Sequence, residues 1–171
     1  MRKVSFSLAL LAAALLADGP VLKTGQTTVY KQGDDGTYQA GLARSYTRNA
    51  AGVVKDNATG LEWQDDYSDN NGTIKQANWA DAKTYCENLT LDGKSDWRLP
   101  SLKELRTLVD RGRTDPAVDP TFINTASRDY WSSTTSAGGT TVAWDVSFYG
   151  GDGGIDRKTY SCYVRCVRSG Q

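Results

Sequence analysis

Apolar residues recur at helical spacing in two stretches near the middle of the chain. In the first stretch Asn78 is the predicted N-cap, and the apolar residues on one helix face are Trp79, Ala82, Cys86 and Leu89. The second stretch opens at a capping box, in which the Ser101 hydroxyl and the Glu104 carboxylate each accept a hydrogen bond from an orphan amide. Its predicted end is Gly112, and its apolar stripe consists of Leu102, Leu105, Leu108 and Val109. These patterns predict two amphipathic helices in succession.

The residues on either side of the two helices favour strands. A hairpin is predicted where residues 53–54 and residues 61–63 flank a polar turn. A strict alternation after residue 141 predicts a half-buried strand, with one face formed by Val142, Trp144, Val146 and Phe148. Further strands are predicted at residues 130–134, 155–160 and 163–167, the last of which closes the sheet. This order of elements predicts an α+β fold, with two helices packed on a mainly antiparallel twisted sheet.

The first residues have the pattern of a secretory signal peptide. A short cationic start is followed by an almost wholly apolar run to Ala17, which is too short to span a bilayer comfortably. We therefore predict a signal peptide at residues 1–17, cleaved after Ala17 or after Ala14. The protein is expected to be exported, to the periplasm, the medium or the cell surface, with no stable membrane insertion after cleavage.

Residues 18–50 are polar and rich in glycine. They predict an extended segment with at most one hairpin, around residues 27–30, and a turn at residues 33–36. The folded domain is expected to occupy residues 51–169.

Composition and charge narrow the class of protein. Lys+Arg is 20 and Asp+Glu is 20, and loss of Arg2 and Lys3 with the signal peptide leaves 18 against 20, a net charge of −2. This balance argues against nucleic-acid binding, because phosphate neutralisation needs a cationic surplus. The sequence has no histidine, which removes the commonest general base and the commonest metal ligand. Its 17 glycines, 5 tryptophans and 9 tyrosines are typical of a loop-rich extracellular domain with aromatic anchors.

Three cysteines follow the predicted signal peptide. In an oxidising compartment a disulfide is favoured over a metal cluster, and three cysteines without histidine make a poor zinc site. A bridge from Cys86 to either Cys162 or Cys166 would join the two ends of the domain. The remaining cysteine is expected to be a free buried thiol or an intermolecular link, and no metal site is predicted.

Four short blocks carry a resemblance to a known family. They are TGLEW at 59–63, DWRLPS at 96–101, YWSST at 130–134 and RCVR at 165–168. In this order and spacing they resemble the bacterial Lcl C-terminal domain, which is named after a collagen-like surface adhesin and whose members mostly have no known function. The resemblance covers about residues 50 to 169, and KTGQTT at 23–28 is also similar.

The resemblance implies a C-type-lectin-like fold. In that fold a cysteine of the first helix pairs with one of the last strand, which on this sequence implies a Cys86–Cys166 disulfide. The adhesin binds sulfated polysaccharides, but a net charge of −2 disfavours a polyanion unless basic residues cluster locally, the candidates being Arg157, Lys158, Arg165 and Arg168. Calcium-dependent lectins of this fold use the triplets EPN or QPD with WND, and none occurs in the sequence. Calcium is therefore possible as a cofactor but not favoured.

The region from residue 136 to residue 158 holds the candidate binding site. In C-type-lectin-like domains the loops between the central strands carry the ligand, and tyrosine beside short polar groups suits contact with sugar or protein. Asp145 and Ser147 are predicted to face away from the core. The predicted ligand-binding residues are Asp145, Ser147, Tyr149, Asp152, Asp156, Arg157 and Lys158.

Other polar and aromatic residues are assigned structural roles. Residues 65–72 are rich in oxygen ligands, but the spacing does not fit an EF-hand and the distal glutamate is missing, so a solvated loop is predicted. Trp97 and Trp131 lie in framework blocks and are expected in the core. Arg98 is expected to pair with a carboxylate or with backbone carbonyls, and Glu104 to act as a helix cap.

The sequence therefore predicts an exported, non-catalytic binding module. Its expected partner is a surface polysaccharide or another cell-surface polymer. The first alternative is a module that binds a surface protein during surface assembly. The second is a glycan-acting hydrolase, which would need two carboxylates about 5 to 9 Å apart.

Overall fold

The structure is a computed structural model that describes residues 20–170, so the predicted signal peptide lies outside the described residues. Its helices are α1 (Asp35–Tyr38), α2 (Trp79–Asn88) and α3 (Leu102–Thr107), with a 3-10 turn at Ser68–Asn70. The first strands are β1 (Tyr46–Arg48), β2 (Val53–Asp56), β3 (Leu61–Gln64) and β4 (Gln76–Ala77). The later strands are β5 (Asp129–Thr135), β6 (Val142–Ser147), β7 (Gly153–Arg157), β8 (Cys162–Tyr163) and β9 (Val167–Ser169). Within residues 20–170, no helix has the length and apolar character needed to cross a membrane.

The strands form two sheets, where the sequence predicted one. The first has the order β1-β2-β3-β9 and the second β4-β8-β5-β6-β7. Within these two sheets all strand pairings are antiparallel except the single parallel contact between Tyr130 and Tyr163. Residues 163–167 do not make one closing strand, because Tyr163 pairs in the second sheet while Val167 pairs with Trp63 in the first. The predicted α+β class and the hairpin of β2 and β3 are confirmed.

The second sheet lies between the two longer helices. Trp131 packs in one core cluster with Ala82 and Cys86 of α2, whereas its neighbour Tyr130 packs in another with Leu105 of α3. Since successive side chains of a strand point to opposite faces, the two helices cover opposite faces of the sheet. Trp97 and Trp131, predicted in the core, are 2% and 0% exposed.

Both predicted helix starts are confirmed. The Asn78 side chain accepts a hydrogen bond from the Asp81 N–H, and Ser101 and Glu104 form the complete capping box. The end of α3 was predicted at Gly112, but the helix stops at Thr107. The reason is tertiary, because the N–H groups of residues 110 and 111 bond to carbonyls of residues 117 and 24 instead of continuing the helix.

A disulfide joins the ends of the domain. Cys86 of α2 is bonded to Cys166, which directly precedes β9, and Cys162 is a free buried thiol. The pairing implied by the family resemblance is therefore confirmed.

The N-terminal segment forms fewer regular elements than the core but is attached to it. The hairpin expected around residues 27–30 is absent from the described residues, where an isolated parallel bridge joins Leu22 to Leu42. The turn expected at residues 33–36 is instead the start of α1, which the Asp34 side chain caps. The segment is held by a hydrogen bond from the Arg111 N–H to the Thr24 carbonyl, and β1 extends the first sheet beside β2.

Candidate functional site

Three aspartates on neighbouring strands share one face of the second sheet. Asp129 lies on β5, Asp145 on β6 and Asp156 on β7, and β6 is the middle strand of the three. In the strand register Asp145 stands opposite Trp131 of β5 and Gly154 of β7. Trp131 is two residues from Asp129, and Gly154 is two residues from Asp156. Because side chains two residues apart lie on the same face, the three carboxylates project from the face that carries Trp131.

Asp145 lies, as predicted, on the face of β6 opposite Val146, but the expectation that this face exposes it to solvent is wrong. The residue is only 3% exposed, because both faces of β6 contribute to the core: Ala143, on the face of Asp145, packs in the cluster that contains α2, and Val146, on the other face, packs in the cluster that contains α3. Its Oδ1 lies 2.5 Å from the position that a Cβ on residue 154 would occupy, so the carboxylate packs directly over this glycine. Its Oδ2 is buried and has no hydrogen-bond partner among the described residues.

The burial of Asp145 changes its titration. The pKa of this carboxyl is raised to about 6 from an ordinary 3.8, chiefly by desolvation and also by the charges of Asp156 and Asp129, while a hydrogen bond from the Gly154 N–H acts in the opposite direction. The folded protein therefore binds more protons than the unfolded chain between these two values. Over that window the free energy of unfolding falls as the pH rises.

The variant Asp145→Asn tests this. We expect it to raise the free energy of unfolding above pH 7 by on the order of 2 kcal/mol, because it removes a buried charge while keeping an acceptor for the Gly154 N–H. The gain should shrink as the pH falls through 6 and vanish near pH 4, measured by denaturant unfolding across this range. Asp152→Asn, at an exposed carboxylate of the adjoining turn, is the control and should give no pH-dependent gain. If Asp145→Asn lowered the free energy of unfolding equally near pH 4 and above pH 7, this would contradict a raised pKa of Asp145 in the folded protein.

The free thiol of Cys162 adjoins the aspartates. It is 6% exposed, and its Sγ donates a long hydrogen bond of 3.8 Å to Asp156 Oδ2. The pKa of this thiol is raised to about 12, chiefly by desolvation and also by the charges of Asp156, Asp145 and Asp129. The thiol is therefore protonated at neutral pH and is a weak nucleophile.

An open groove of about 450 Å³ runs along this side of the molecule. Asp129 and Asp156 lie in its wall, and Tyr160 offers it a ring that is 52% exposed. The other lining residues are Gln76, Arg128, Ser161, Cys162 and Tyr163. Carboxylates and hydroxyls can bond to the hydroxyl groups of a ligand while tyrosine supplies apolar contact area. We call this feature the aspartate groove.

Three residues of the groove, Asp129, Gln76 and Tyr160, were not predicted from the sequence. By alternation Asp129 shares the face of Trp131, but only the strand register, which sets Trp131 opposite Asp145, places it on the face of Asp145. Gln76 and Tyr160 carried no comparable pattern, since they reach the groove from β4 and from the loop after β7.

A second groove, of about 490 Å³, lies along α2 and shares Gln76 with the aspartate groove. Tyr85 lines it, and its hydroxyl accepts a hydrogen bond of 2.7 Å from Gln64 Nε2 and donates one of 3.2 Å to Asp69 Oδ1. Burial raises the pKa of the Tyr85 hydroxyl. Because this hydroxyl already has a donor and an acceptor inside the protein, it has little capacity left for a ligand.

The predicted binding residues divide into separate groups. Asp145 and Asp156 lie together beside the aspartate groove, with Ser147 half-buried further along β6. Tyr149 and Asp152 are exposed at the turn between β6 and β7. Arg157 and Lys158 lie at the opposite end of β7, which at about 3.3 Å per residue separates them from the turn by more than 10 Å.

Lys158 already has partners within the fold. Its Nζ donates a hydrogen bond of 2.8 Å to Thr135 Oγ1 and lies 4.0 Å from the centre of the Trp79 ring. This cation–π contact and hydrogen bond anchor the lysine at the start of α2.

Two of the four basic residues named as candidates for a surface patch are buried. Arg165 is 0% exposed and pairs with Asp65, whereas Arg168 is 4% exposed and pairs with Glu62 and Asp96. Arg157 is exposed and Lys158 half-buried. The four basic residues named as candidates therefore do not form a surface cluster.

The acidic stretch at residues 65–72 is not a fully solvated loop. Asp65 is 0% exposed and Tyr67 2% exposed, because the loop begins inside the core. The exposed part closes on itself, with the Asp66 carboxylate accepting hydrogen bonds from the Ser68 N–H and hydroxyl. Within residues 20–170, no group of three or more acidic or cysteine side chains is arranged to hold a metal ion.

The other structural assignments are confirmed. Arg98 pairs with the capping carboxylate, through a hydrogen bond of 2.8 Å from its Nη1 to Glu104 Oε2. The same carboxylate accepts from the Ser101 N–H, so Glu104 acts as a cap and as an ion-pair partner.

A comparison with protein families now identifies the chain. The sequence profile of the Lcl C-terminal domain matches residues 52–168. The chain belongs to this family. The Lcl C-terminal match begins at the start of β2 and ends within β9, so it contains both long helices, the disulfide and all three aspartates of the groove. No curated protein sequence matches the chain. Membership indicates a surface-associated module of unknown function, so the ligand must be inferred from the site.

Proposed function

We propose that this Lcl C-terminal protein is an exported, non-catalytic binding module that attaches to carbohydrate or another polymer on a cell surface. The aspartate groove carries the proposal, because it places the half-exposed ring of Tyr160 beside the carboxylates of Asp129 and Asp156. Sugars present an apolar ring face edged by hydroxyl groups, and this combination of side chains complements both. The volume of about 450 Å³ is within the range of small-molecule sites.

We also propose a C-type-lectin-like arrangement for the fold. Three features support it: β9 near the C-terminus pairs with β3 near the start of the domain, two sheets are present, and the disulfide runs from α2 to the residue before β9. In this arrangement the chain ends meet, which leaves the central strands free to carry a ligand.

The charges near the groove favour a neutral or cationic glycan over a sulfated one. Arg165 and Arg168 are buried in ion pairs and are not available to a polyanion. Asp129 and Asp156 line the groove, against Arg128 as its one lining cation among the described residues. A sulfate group would meet like charge there, which is unfavourable.

Two observations support a non-catalytic role. The Cys162 thiol beside the groove is protonated at neutral pH, because burial raises its pKa to about 12. The sequence also offers no histidine to act as a general base. A turnover assay on any glycan that binds separates this proposal from a glycan-acting hydrolase, since release of sugar would contradict it.

The test is a glycan array probed with the protein purified after export from a bacterial host. We expect binding to neutral or amino-bearing glycans that persists when calcium is chelated, and at least a tenfold loss in Tyr160→Ala, because the aromatic contact area is removed. Tyr30→Ala, at an exposed tyrosine of the N-terminal segment, should bind like the unaltered protein.

Other outcomes would redirect the proposal. Loss of binding in Tyr149→Ala or Arg157→Ala, with Tyr160→Ala unaffected, would move the site to the hairpin ends. A blank array would contradict carbohydrate binding and favour a protein partner, and binding abolished by chelation would contradict a metal-independent site.

A further inference from the structure

We infer that the protein forms a symmetric dimer, in which β7 of one copy pairs with β7 of a second copy in antiparallel orientation centred on Ile155. This contact joins the second sheets of the two copies into one continuous sheet across a two-fold axis. The inference goes beyond the proposed function and does not depend on which ligand the aspartate groove binds.

β7 is the last strand of the second sheet, so on one side it has no neighbouring strand among the described residues. It has five residues, whereas β4 at the other end of the sheet has two. It contains no proline, and its register with β6 runs without a bulge from Gly153 to Arg157. Proline and bulges are two devices by which natural proteins prevent pairing at an exposed edge. This edge is therefore open to another strand.

Two hydrogen bonds at the ends of β7 show which of its backbone groups point outward. The Asp152 carbonyl accepts a hydrogen bond of 2.8 Å from the Ser147 N–H, and the Lys158 N–H donates one of 2.9 Å to the Thr141 carbonyl. Asp152 and Lys158 therefore direct these groups toward β6. Because successive residues of a strand direct their N–H and C=O groups to alternate sides, the odd-numbered residues of β7 direct theirs to the open edge.

The outward backbone groups are available to a partner. Within residues 20–170, no other element forms a backbone hydrogen bond with the N–H or C=O of Gly153 or Ile155. The Arg157 carbonyl accepts a hydrogen bond of 2.8 Å from the Tyr160 N–H and keeps a second lone pair. All three outward residues are exposed, with Ile155 at 46%. The edge thus offers backbone donors and acceptors beside an apolar side chain.

β7 is complementary to itself in these backbone groups. Antiparallel pairing centred on Ile155 sets this residue opposite the same residue of the other copy. It also sets Gly153 opposite Arg157, so every outward residue of one strand meets an outward residue of the other. A shift of two residues in either direction leaves some of these groups unpaired. The two Ile155 residues, with Cα atoms about 5.5 Å apart, would also cover each other's apolar surface.

The charges at the ends of β7 favour a second copy over an arbitrary extended segment. Asp152 precedes the strand and Arg157 ends it; both are exposed, and neither has an ion-pair partner within residues 20–170. Because Arg157 stands opposite Gly153, it lies beside Asp152 of the other copy, and symmetry repeats this contact. Asp156 stands opposite Gly154, so no two like charges directly face each other.

Sedimentation velocity of the full exported protein at rising concentration tests the pairing. We expect a monomer–dimer equilibrium with a dissociation constant of about 1 to 100 µM, because two edge strands bury less surface than an obligate dimer does. Ile155→Pro should weaken association by about tenfold, because it removes an outward N–H that β6 does not use. Ile155→Lys, which sets like charges opposite each other, should have a similar effect. Ile123→Lys, at an exposed isoleucine outside the strands, is the matched control and should associate like the unaltered protein.

An exchange of charges tests whether the two paired strands belong to identical copies. Asp152→Arg and Arg157→Asp should each weaken association by about fivefold, because each sets like charges beside one another twice in the dimer. The two changes combined in one chain restore opposite charges and should return the affinity to that of the unaltered protein.

Oxidation of a cysteine variant tests the centre of the pairing. Ile155→Cys should form a disulfide-linked dimer, because the facing Cα atoms of a hydrogen-bonded pair are about 5.5 Å apart. Ile123→Cys, at the same concentration, is the control and should remain monomeric under denaturing, non-reducing conditions.

Three outcomes would overturn the inference. The first is a protein that stays monomeric up to about 1 mM. The second is a dimer that is unaffected by both Ile155→Pro and Ile155→Lys, since another surface would then form the contact. The third is a double charge variant that associates no better than the single ones. None of these results bears on carbohydrate binding, which the glycan array decides by itself.

Discussion

Replacing Cys86 and Cys166 together by alanine is expected to lower the free energy of unfolding by about 4.5 kcal/mol. The disulfide joins residues that are 80 apart in sequence, so it restricts a large loop of the unfolded chain. It also links α2 to the strand that completes the first sheet, and both cysteines are 0% exposed. Loss of the bond would therefore weaken the attachment between the two ends of the domain.

Both cysteines must be replaced, because a single replacement would leave a thiol that could pair with Cys162. Denaturant unfolding of the double variant should agree with that of the unaltered protein under excess reductant. Cys162→Ala is the control; it keeps the bridge and should lose only about 1 kcal/mol from reduced packing. Unfolding midpoints that are equal with and without reductant would contradict a stabilising role for the bond.

Asp65→Asn is expected to lower the free energy of unfolding by about 4 kcal/mol. The Asp65 carboxylate is 0% exposed and pairs with Arg165, which is also fully buried, at 3.2 Å from Nη2. It further accepts hydrogen bonds from Arg48 Nε and from the N–H groups of Ile123 and Asn124. The asparagine would leave the guanidinium charge buried without its counter-ion and would place an NH₂ group against one of these donors.

A double-mutant cycle isolates the ion pair. The variant Asp65→Asn with Arg165→Met should lose much less than the sum of the two single losses, because the fully buried guanidinium that would lack a counter-ion is also removed. Arg48, the other arginine that pairs with Asp65, keeps contact with water through a side chain that is 25% exposed. Asp96→Asn is the comparison, since this carboxylate also pairs with an arginine but is 55% exposed, and its removal should have a small effect. Additive losses in the cycle would contradict the pairing.

The buried pair also has a consequence for the position of the aspartate groove. Arg165 lies over the rings of Phe122 and Tyr130, with its Cζ 4.7 and 5.7 Å from their centres. Tyr130 directly follows Asp129 on β5. Arg165 and the two rings thus pack against the start of β5 on the face opposite the aspartates. Disruption of this packing should disturb ligand binding as well as stability.

Local patterns in the sequence were sufficient for most of the individual elements. Helix α2 and the start of α3 could be predicted because caps and helical spacing lie within ten residues of one another. The β2–β3 hairpin and the strand at β6 could be predicted for the same reason. The choice of Cys166 as the partner of Cys86 needed the family resemblance, since spacing alone admitted Cys162 equally well.

The sequence by itself determined the two longer helices, the β2–β3 hairpin, the strand at β6, the order of these elements, the family and the residues available for chemistry. Only the tertiary structure decided which side of an element is covered, because the covering residues come from distant parts of the chain. The alternation in β6 predicted a solvated Asp145, yet α2 and α3 cover both faces of that sheet. Arg165 was a candidate for a surface patch, yet its counter-ion lies 100 residues earlier. A counter-ion from a distant part of the chain allows a charged side chain to be buried, and no local sequence pattern shows that this counter-ion will be nearby.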